Sequence, residues 1–118
     1  MNSDDESRHH SSLKSVNDLV PIVLREMCLD SVHFGKYVEC ESVSETVMAS
    51  ASHSMLIQDN DGQIVRLQMA NYGLSAHSIL PIGTKLVIKE PFLSTKNGEQ
   101  RYFVMHADFS SITFFFLN

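Results

Sequence analysis

Apolar and polar side chains alternate along residues 53–70 with the two-residue period of a strand that is buried on one face. Val65, Leu67 and Met69 fall together on one face of the second half of this segment. Asp61-Gly62 interrupts the alternation, and both residue types tolerate the positive φ angles of tight turns. The pattern therefore predicts a β-hairpin that turns at Asp61-Gly62.

A second alternating segment predicts another hairpin over residues 84–106, with its turn at Asn97-Gly98. Leu86 and Ile88 are expected to face inward in its first strand, and Val104 in its returning strand. The residues between the inward positions of the first strand are expected to face outward: Lys85, Val87 and Lys89.

A third strand-like segment, residues 32–48, precedes both hairpins, and Gly35 offers a point at which it can bend. The order of strand, hairpin, linker and hairpin is that of a five-stranded OB-type barrel. We therefore predict a mainly β fold, an OB-like β-barrel over residues 31–108. Its expected core consists of Ile57, Val65, Leu67, Leu86, Ile88 and Val104.

The first 30 residues divide into two parts. Residues 1–12 are almost entirely polar, which predicts a disordered tail. In residues 13–30 apolar side chains recur at helical spacing, and Pro21 fits the first turn of a helix that begins near Asp18. We therefore predict an amphipathic helix that packs on the barrel or docks a partner. Its apolar positions are Leu19, Val20, Val23, Leu24 and Met27.

Residues 109–118 form an apolar C-terminal segment. Large apolar side chains are normally covered by other protein surface, because their exposure favours association. The segment is therefore expected either to pack back on the barrel or to contact a second copy of the chain or a downstream domain. The predicted partner surface consists of Phe114, Phe115, Phe116 and Leu117.

Charge and composition bear on nucleic-acid binding, on membrane association and on the location of the protein in the cell. The 118-residue chain has a formal net charge of -5, whereas proteins that grip nucleic acid usually carry a basic surface. It has no run of the roughly 18–20 apolar residues that span a bilayer, so no membrane partner is expected. The acidic N-terminus does not resemble a signal peptide, and Cys28 and Cys40 are expected to be free thiols. A cytoplasmic or nuclear location follows as an expectation.

Residue patterns that carry catalysis or bind metals are not evident. Cys40 with His33 or His53 could form a thiol dyad, but isolated Cys and His residues in β proteins are usually structural. The Asp59–Gly62 segment is explained by a tight turn, because it lacks the later glutamate of a calcium loop. The chain is therefore expected to be no enzyme and to need no cofactor or metal.

Basic and aromatic residues in the predicted strands suggest one further surface. A strip of cationic and aromatic side chains on a sheet face is the usual platform for single-stranded nucleic acid. The predicted ligand or nucleic-acid face consists of Lys36, Tyr37, Arg66, Lys85, Lys89 and Arg101. If these residues share one face, nucleic-acid binding is favoured, and if they scatter, a protein partner is favoured.

Three stretches resemble segments of a known family: MLIQDNDGQIVRLQMANYG, LPIGTKLVIKEPFL and GEQRYFVMHADFSSI. From about Tyr37 to His106 the chain thereby resembles the N-terminal OB-like barrel region of TPR- and SET-domain proteins of the fungal type. The residues that match are expected to be structural: Gly83, Lys89, Glu90 and Pro91.

The resemblance implies a non-catalytic accessory barrel. Neither the helical repeats nor the SET methyltransferase module of that family occurs in this sequence, so no catalytic residue is carried over. We therefore expect a binding or scaffolding module with a protein partner, which can be a fragment of a longer product. The alternatives are single-stranded nucleic-acid binding through the barrel face and a remnant of a SET-type methyltransferase without activity of its own.

Overall fold

The computed structural model describes residues 10–48, 53–70, 80–96 and 99–115, and these residues form a mainly β fold. The strands are β1 (Val20–Pro21), β2 (Ser31–Val32), β3 (Lys36–Ser42), β4 (Val47–Met48), β5 (His53–Asp59), β6 (Ile64–Ala70), β7 (Lys85–Lys89), β8 (Phe92–Lys96), β9 (Glu99–Asp108) and β10 (Ile112–Phe115). Short 3-10 turns occupy Val16–Asp18, Leu24–Glu26 and Phe109–Ser111.

All ten strands belong to one sheet, whose hydrogen-bonded order is β10-β7-β3-β5-β6-β9-β8-β2. Two short strands lie off this path, β1 beside β3 and β4 beside β5. The pairs β1/β3 and β6/β9 are parallel, and the others are antiparallel. The mainly β prediction is confirmed. Along this path the sheet is open, so closure into a barrel stays a prediction.

The first hairpin follows the alternation in the sequence. Ile57 pairs with Val65 and Met55 with Leu67, so that these four apolar side chains share the core face. Gly62 ends the turn with a φ of 86°, a conformation that glycine adopts without steric cost. The predicted turn at Asn97-Gly98 of the second hairpin, and the linker residues 71–79, lie outside the described residues.

All six predicted core residues are buried, as predicted. Five of them belong to one hydrophobic cluster: Ile57, Val65, Leu67, Leu86 and Ile88. Val104 is buried but belongs to the other face, because it pairs with Arg66, whereas Met105 pairs with Leu67 and lies in the core. The burial predicted for Val104 is thus confirmed, but the face predicted for it is wrong, because Met105 is the residue of β9 that faces the cluster. Val87 is also buried, although its expected position was outward.

The predicted N-terminal helix is not present. Residues 13–30 instead form two 3-10 turns and the short strand β1. The backbone at β1 is hydrogen-bonded to the start of β3 and the turn before it. Val20 N donates to Gly35 O at 2.9 Å and Ile22 N to Tyr37 O at 2.9 Å. Pairing with the sheet therefore replaces the intrahelical bonds, which Pro21 would in any case weaken.

Part of the predicted apolar set nevertheless packs on the core, as the packing alternative predicted, whereas Val20 is exposed. Leu24 and Met27 pack against the core cluster, and Leu19 is buried. Residues 1–9 of the predicted tail lie outside the described part of the chain, but Ser12 is buried and its N–H donates to Ser111 Oγ at 2.7 Å. The packed N-terminal segment therefore begins before residue 13.

The C-terminal segment continues the sheet. β10 pairs with β7 along its length, with Phe114 opposite Leu86 and Phe115 opposite Lys85, and Ile112 lies in the core cluster. Phe116 and Leu117 lie outside the described residues. The backbone of half of the predicted partner surface is thus paired within the chain, and the partner itself stays a prediction.

A buried glutamate holds the junction between β7 and β8. Glu90 has a φ of 48°, and its N–H donates to Lys36 O at 2.8 Å. Its carboxylate accepts from Gly35 N at 2.8 Å and Lys14 Nζ at 3.1 Å, and His10 Nε2 lies 3.3 Å away. The side chain is 3% exposed. One carboxylate therefore joins the N-terminal residues His10 and Lys14, the turn before β3 at Gly35, and the junction between β7 and β8.

The ionised form of Glu90 is strongly favoured. Burial by itself would raise the pKa, but the hydrogen bonds from Gly35, Lys14 and His10 outweigh it and lower the pKa from 4.5 to about 2. A carboxylate whose pKa is lower in the folded chain than in the unfolded chain stabilises the fold above the unfolded pKa. That contribution disappears as the pH falls towards the folded pKa.

We predict that Leu67→Ala lowers the free energy of unfolding by about 2–5 kcal/mol, because it leaves a cavity in the core. Ile82→Ala is the matched control, since Ile82 is 60% exposed and its change should lie within about 0.5 kcal/mol. Chemical denaturation measures both. An unchanged midpoint for Leu67→Ala would contradict the assignment of the core face.

We predict that Glu90→Gln lowers stability at pH 7 by on the order of 2–3 kcal/mol and that this deficit shrinks below the unfolded pKa. The shrinkage should fall between pH 4.5 and about 2, where the wild-type carboxylate becomes protonated. Denaturation at a series of pH values measures it, with the exposed Glu45→Gln as control. A deficit that stays constant down to pH 2 would show that ionised Glu90 does not stabilise the fold.

Candidate functional site

An apolar groove opens between the N-terminal segment and the ends of three strands. Its volume is about 310 Å³. The N-terminal segment forms one wall with Leu24, Arg25, Met27 and Leu29. Strands β6, β8 and β9, together with the turn before β6, form the other side with Gln63, Ile64, Val65, Leu93 and Phe103.

The groove is unusually apolar for surface that solvent reaches. Val65 and Leu93 belong to the core, so the floor of the groove is the core itself. Around them, Ile64 is 57%, Phe103 44% and Leu29 39% exposed. Single exposed apolar residues are common, but several around one concavity mark a binding surface. Covering them would gain roughly 25 cal/mol for each Å² of apolar surface removed from water.

A second carboxylate, that of Asp59, fixes the N-terminal wall to the first hairpin. Asp59 Oδ2 accepts from Leu24 N at 2.8 Å. Its Oδ1 accepts from Asp61 N at 3.0 Å and from Gln63 N at 2.9 Å, which closes the hairpin turn. Asp59 is buried, and three backbone donors compensate for its lost hydration. The same side chain thus sets both the turn and the position of Leu24 in the groove.

Two further contacts hold this wall. Arg25 Nε lies 3.0 Å from Asp61 Oδ2, an exposed ion pair across the mouth of the groove. At the other end of the wall, Asp30 N donates to Leu93 O, and β2 then pairs with β8. The wall is therefore attached at both ends to the strands it faces, which gives the groove a defined width.

The predicted ligand face is only partly brought together. Tyr37 pairs with Lys89 and Glu41 with Lys85 across β3 and β7, so Tyr37, Lys85 and Lys89 share one face with acidic neighbours. Lys89 Nζ is already bound to Lys14 O at 2.7 Å. The local charge is thus mixed, which is unfavourable for a phosphate backbone.

The other predicted members lie elsewhere. Arg66 is on β6, separated from β7 by β3 and β5, and its Nη1 lies 3.3 Å from Ser54 Oγ. Lys36 is half-buried at the start of β3, where it pairs with Val20. Arg101 is on β9, and its side chain lies outside what the structure describes. The basic residues therefore scatter over the sheet.

A second cavity, of about 490 Å³, lies on the outer face of β3 and β7 beside the first hairpin. Glu39, Glu41 and Asp59 line it, against the single cation of Lys85. Asn60 Nδ2 donates to Glu39 Oε2 at 3.1 Å, so part of this acidic surface is used within the fold. Its net negative charge would repel a phosphate group.

The candidate reactive groups are engaged in the fold. Cys40 is buried, and this burial together with Asp59 and Glu39 raises the pKa of its thiol well above the usual range. His33 uses both ring nitrogens, with Cys28 N at 2.8 Å and Pro91 O at 3.0 Å, and so cannot serve as a base for Cys40.

One hydroxyl–imidazole pair has the distance of a nucleophile and its base, since Ser94 Oγ lies 2.9 Å from His106 Nε2. Ser94 is 3% exposed, however, and it lines neither cavity. The hydroxyl is therefore covered by the fold, and the pair is best explained as a bond between neighbouring strands. Among the described residues no three of His, Cys, Asp and Glu are arranged to hold a metal ion. In the same part of the chain no helix is long and apolar enough to span a bilayer.

Sequence reasoning did not identify the groove. Its residues come from segments that lie up to 79 positions apart, Leu24 and Phe103, and no local pattern links them. The available signal was the apolar residue Ile64 on the face of β6 that alternation assigns to solvent. An apolar residue at an outward strand position indicates that something covers it or binds to it.

We predict that Asp59→Ala lowers stability by roughly 2–4 kcal/mol, because three backbone N–H groups lose their acceptor. Asp61→Ala is the matched control at the same turn, and loss of its exposed pair with Arg25 should cost only about 0–1 kcal/mol. Hydrogen exchange at the Leu24 amide should accelerate in the first variant alone. Equal losses of stability in the two variants would contradict this role of Asp59.

Comparison with known proteins leaves the family of this chain open. No protein-family model matches it, and no curated protein shows significant similarity to it. The resemblance to TPR- and SET-domain proteins therefore stays a prediction.

Proposed function

We propose that this chain is a non-catalytic protein-binding module that holds an apolar segment of its partner in the groove. The observation that supports this most directly is the exposed apolar rim above a floor of core residues. Such a surface is costly to leave in water, and protein interfaces bury this kind of patch at their centre. The side chains of Cys40, His33 and Ser94 make hydrogen bonds within the fold, which agrees with a module that binds and does not catalyse.

We also propose that the sheet is an OB-like barrel in which β7 and β8 act as one strand, bent at Glu90-Pro91. The pairings that support this are β7 with β3 and β8 with β9. If β7 and β8 count as one strand, the neighbours form a ring: β3, β5, β6, β9 and then the combined β7–β8 strand, which pairs with β3 again. Five strands of this kind make a small, partly open barrel whose surface commonly binds ligands.

Single-stranded nucleic acid is the weaker alternative. Binding of this kind needs cations and aromatic rings along one continuous surface. Here Arg66 lies apart from Lys85 and Lys89, and Glu39 and Glu41 lie beside the two lysines. The scatter of the basic residues favours a protein partner, which for an accessory barrel includes another domain of the same protein.

Selection of peptides from a random displayed library tests the proposed function. We expect the selected peptides to share an apolar anchor, and titration of labelled protein should shift the amide signals of Ile64, Leu93 and Phe103. Ile64→Glu should weaken binding by about tenfold or more, because it puts a charge into an apolar contact.

Ile82→Glu is the matched control, because Ile82 is 60% exposed and lies outside the groove. It should leave the affinity unchanged. The proposal would be overturned if apolar peptides were not enriched over polar ones in the selection. It would also be overturned if the two variants lost the same amount of binding affinity. If labelled single strands instead bind tightly at physiological salt, nucleic-acid binding takes its place.

A further inference from the structure

We propose that His33 makes the groove sensitive to pH, because proton uptake by its imidazole removes the hydrogen bond that holds the groove wall at Cys28. The inference rests on the proposed function and adds regulation of the same site to it. It follows from the two hydrogen bonds that the ring makes in the turn before β3.

The partners of His33 define the protonation state of its ring. Cys28 N lies 2.8 Å from Nε2, and a backbone N–H is a donor, so Nε2 accepts and carries no proton. Pro91 O lies 3.0 Å from Nδ1, and a carbonyl only accepts, so Nδ1 carries the proton. The two bonds together therefore require a neutral imidazole with its proton on Nδ1.

Protonation breaks only one of these bonds. An imidazolium carries a proton on each nitrogen, so Nδ1 still donates to Pro91 O, whereas the N–H of Cys28 then faces a second N–H at Nε2. Histidine is the side chain whose charge ordinarily changes between about pH 5 and 8, and His33 is only half-buried, so protons reach it. Cys28 is exposed, so water accepts from its N–H once the ring has released it.

The bond at Cys28 lies in the middle of the groove wall. Met27 and Leu29, on either side of Cys28, both line the groove. The ends of the wall are attached at Leu24 and Asp30 by bonds that contain no imidazole. Between these ends, and among the residues that the structure describes, the N–H of Cys28 is the one backbone donor with a partner outside the wall. Its release therefore loosens the two lining residues while the ends stay in place.

His33 is the group at this turn that changes charge in a mildly acidic range. The pKa of Glu90 is about 2, so that carboxylate stays ionised there, and exposed carboxylates and amines keep their charge between about pH 5.5 and 7.5. His10, 3.3 Å from Glu90, is a second imidazole that the test has to control. The charged and titratable groups on the elements around the turn are Cys28 and Asp30 of the wall, Lys36 of β3, Lys89 and Glu90 at the end of β7, and the N-terminal residues His10 and Lys14.

A loosened wall weakens the binding of an apolar segment. At neutral pH the attached wall presents Met27 and Leu29 without further ordering, whereas a released wall has to be ordered again when an occupant binds. One hydrogen bond of this kind changes an equilibrium by about fivefold. Because coupling between two ligands is reciprocal, the occupant in turn disfavours the proton on His33.

Nuclear magnetic resonance of the intact chain, with no peptide added, tests the state of the wall. At pH 7.5 the nitrogen signals of the His33 ring should show a proton on Nδ1 and none on Nε2. As the pH falls to 5.5, the Cys28 amide should lose protection from hydrogen exchange in step with the titration of His33, while the amides of Leu24 and Asp30 keep theirs. A neutral ring with its proton on Nε2 would overturn the inference, as would protection at Cys28 that does not follow the titration.

A peptide without titratable groups tests the effect on binding. The probe is Ser-Gly-Phe-Leu-Phe-Gly-Ser with an acetylated amino end and an amidated carboxyl end. Titration calorimetry at pH 7.5 and 5.5, at constant ionic strength, measures its affinity for the intact chain. We expect the affinity to be about fivefold lower at pH 5.5.

Two matched variants separate His33 from the other imidazole nearby. Glutamine offers an amide oxygen near the position of Nε2 that accepts at either pH. His33→Gln should therefore bind the peptide equally well at both pH values. His10→Gln should keep the fivefold difference, because His10 contacts Glu90 and does not line the groove. The ring signals of the unmodified chain keep the test decisive if His33→Gln does not fold.

The outcomes distinguish the inference from the function on which it rests. If the peptide binds equally well at both pH values, the groove binds apolar segments but its regulation by His33 is overturned. If the difference persists in His33→Gln or disappears in His10→Gln, another group is responsible and the inference is again overturned. If the peptide binds at neither pH, the proposed function fails, and its regulation fails with it.

Discussion

The arrangement of this chain depends on one buried carboxylate. Glu90 accepts hydrogen bonds from an amide and an ammonium group, and an imidazole lies close to it, at the point where β7 ends and β8 begins. A buried charge is expensive unless it is fully compensated, so these donors cannot leave without a large penalty. The left-handed backbone of Glu90 changes the direction of the chain, and the strands on its two sides pair with different neighbours. One side chain therefore holds the N-terminal residues His10 and Lys14 in place and marks the point at which consecutive strands pair with different neighbours.

Asp59 repeats the principle at the first hairpin. Both carboxylates are buried, and both hold the N-terminal segment, Glu90 through Lys14 and Asp59 through the Leu24 amide. Between these attachments the segment runs beside the sheet and inserts Ile22, Leu24 and Met27 against the core. Backbone N–H groups of this segment are bound to acceptors in the sheet and to the Asp59 carboxylate. The hydrogen bonds of an α-helix would therefore only replace bonds that the segment already makes. The groove is the part of the core that this segment approaches but does not cover.

The distribution of charge gives the molecule two distinct surfaces. The outer face of β3 and β7 mixes lysines with glutamates, which lie opposite one another at cross-strand pairs such as Lys85 and Glu41. The groove instead combines an apolar floor with a largely apolar rim, and its one charged lining residue, Arg25, pairs with Asp61. Burial of apolar surface is the source of affinity that such a groove offers. The proposed partner follows from this division.

Local patterns in the sequence determined the first hairpin, its turn and most of the core. Alternation alone placed Ile57, Val65 and Leu67 correctly, because a strand has a fixed two-residue period and the turn residues fix the register. In β9 the burial of Val104 is predicted correctly but its face is not, because the face of a strand depends on which neighbour it pairs with, and here Arg66 lies opposite. The apolar residues Leu24 and Met27 were recognised as core-facing, but their helical spacing suggested the wrong backbone conformation.

Only the tertiary structure could decide that conformation and create the groove. The acceptors that hold the N-terminal segment in place belong to residues distant in sequence, such as Asp59 and Tyr37. The groove combines Leu24 with Phe103, and the charge of its rim depends on the pairing of Arg25 with Asp61. Each of these is a contact between segments, whereas the periodicity of a sequence reports only which face a residue presents within its own segment.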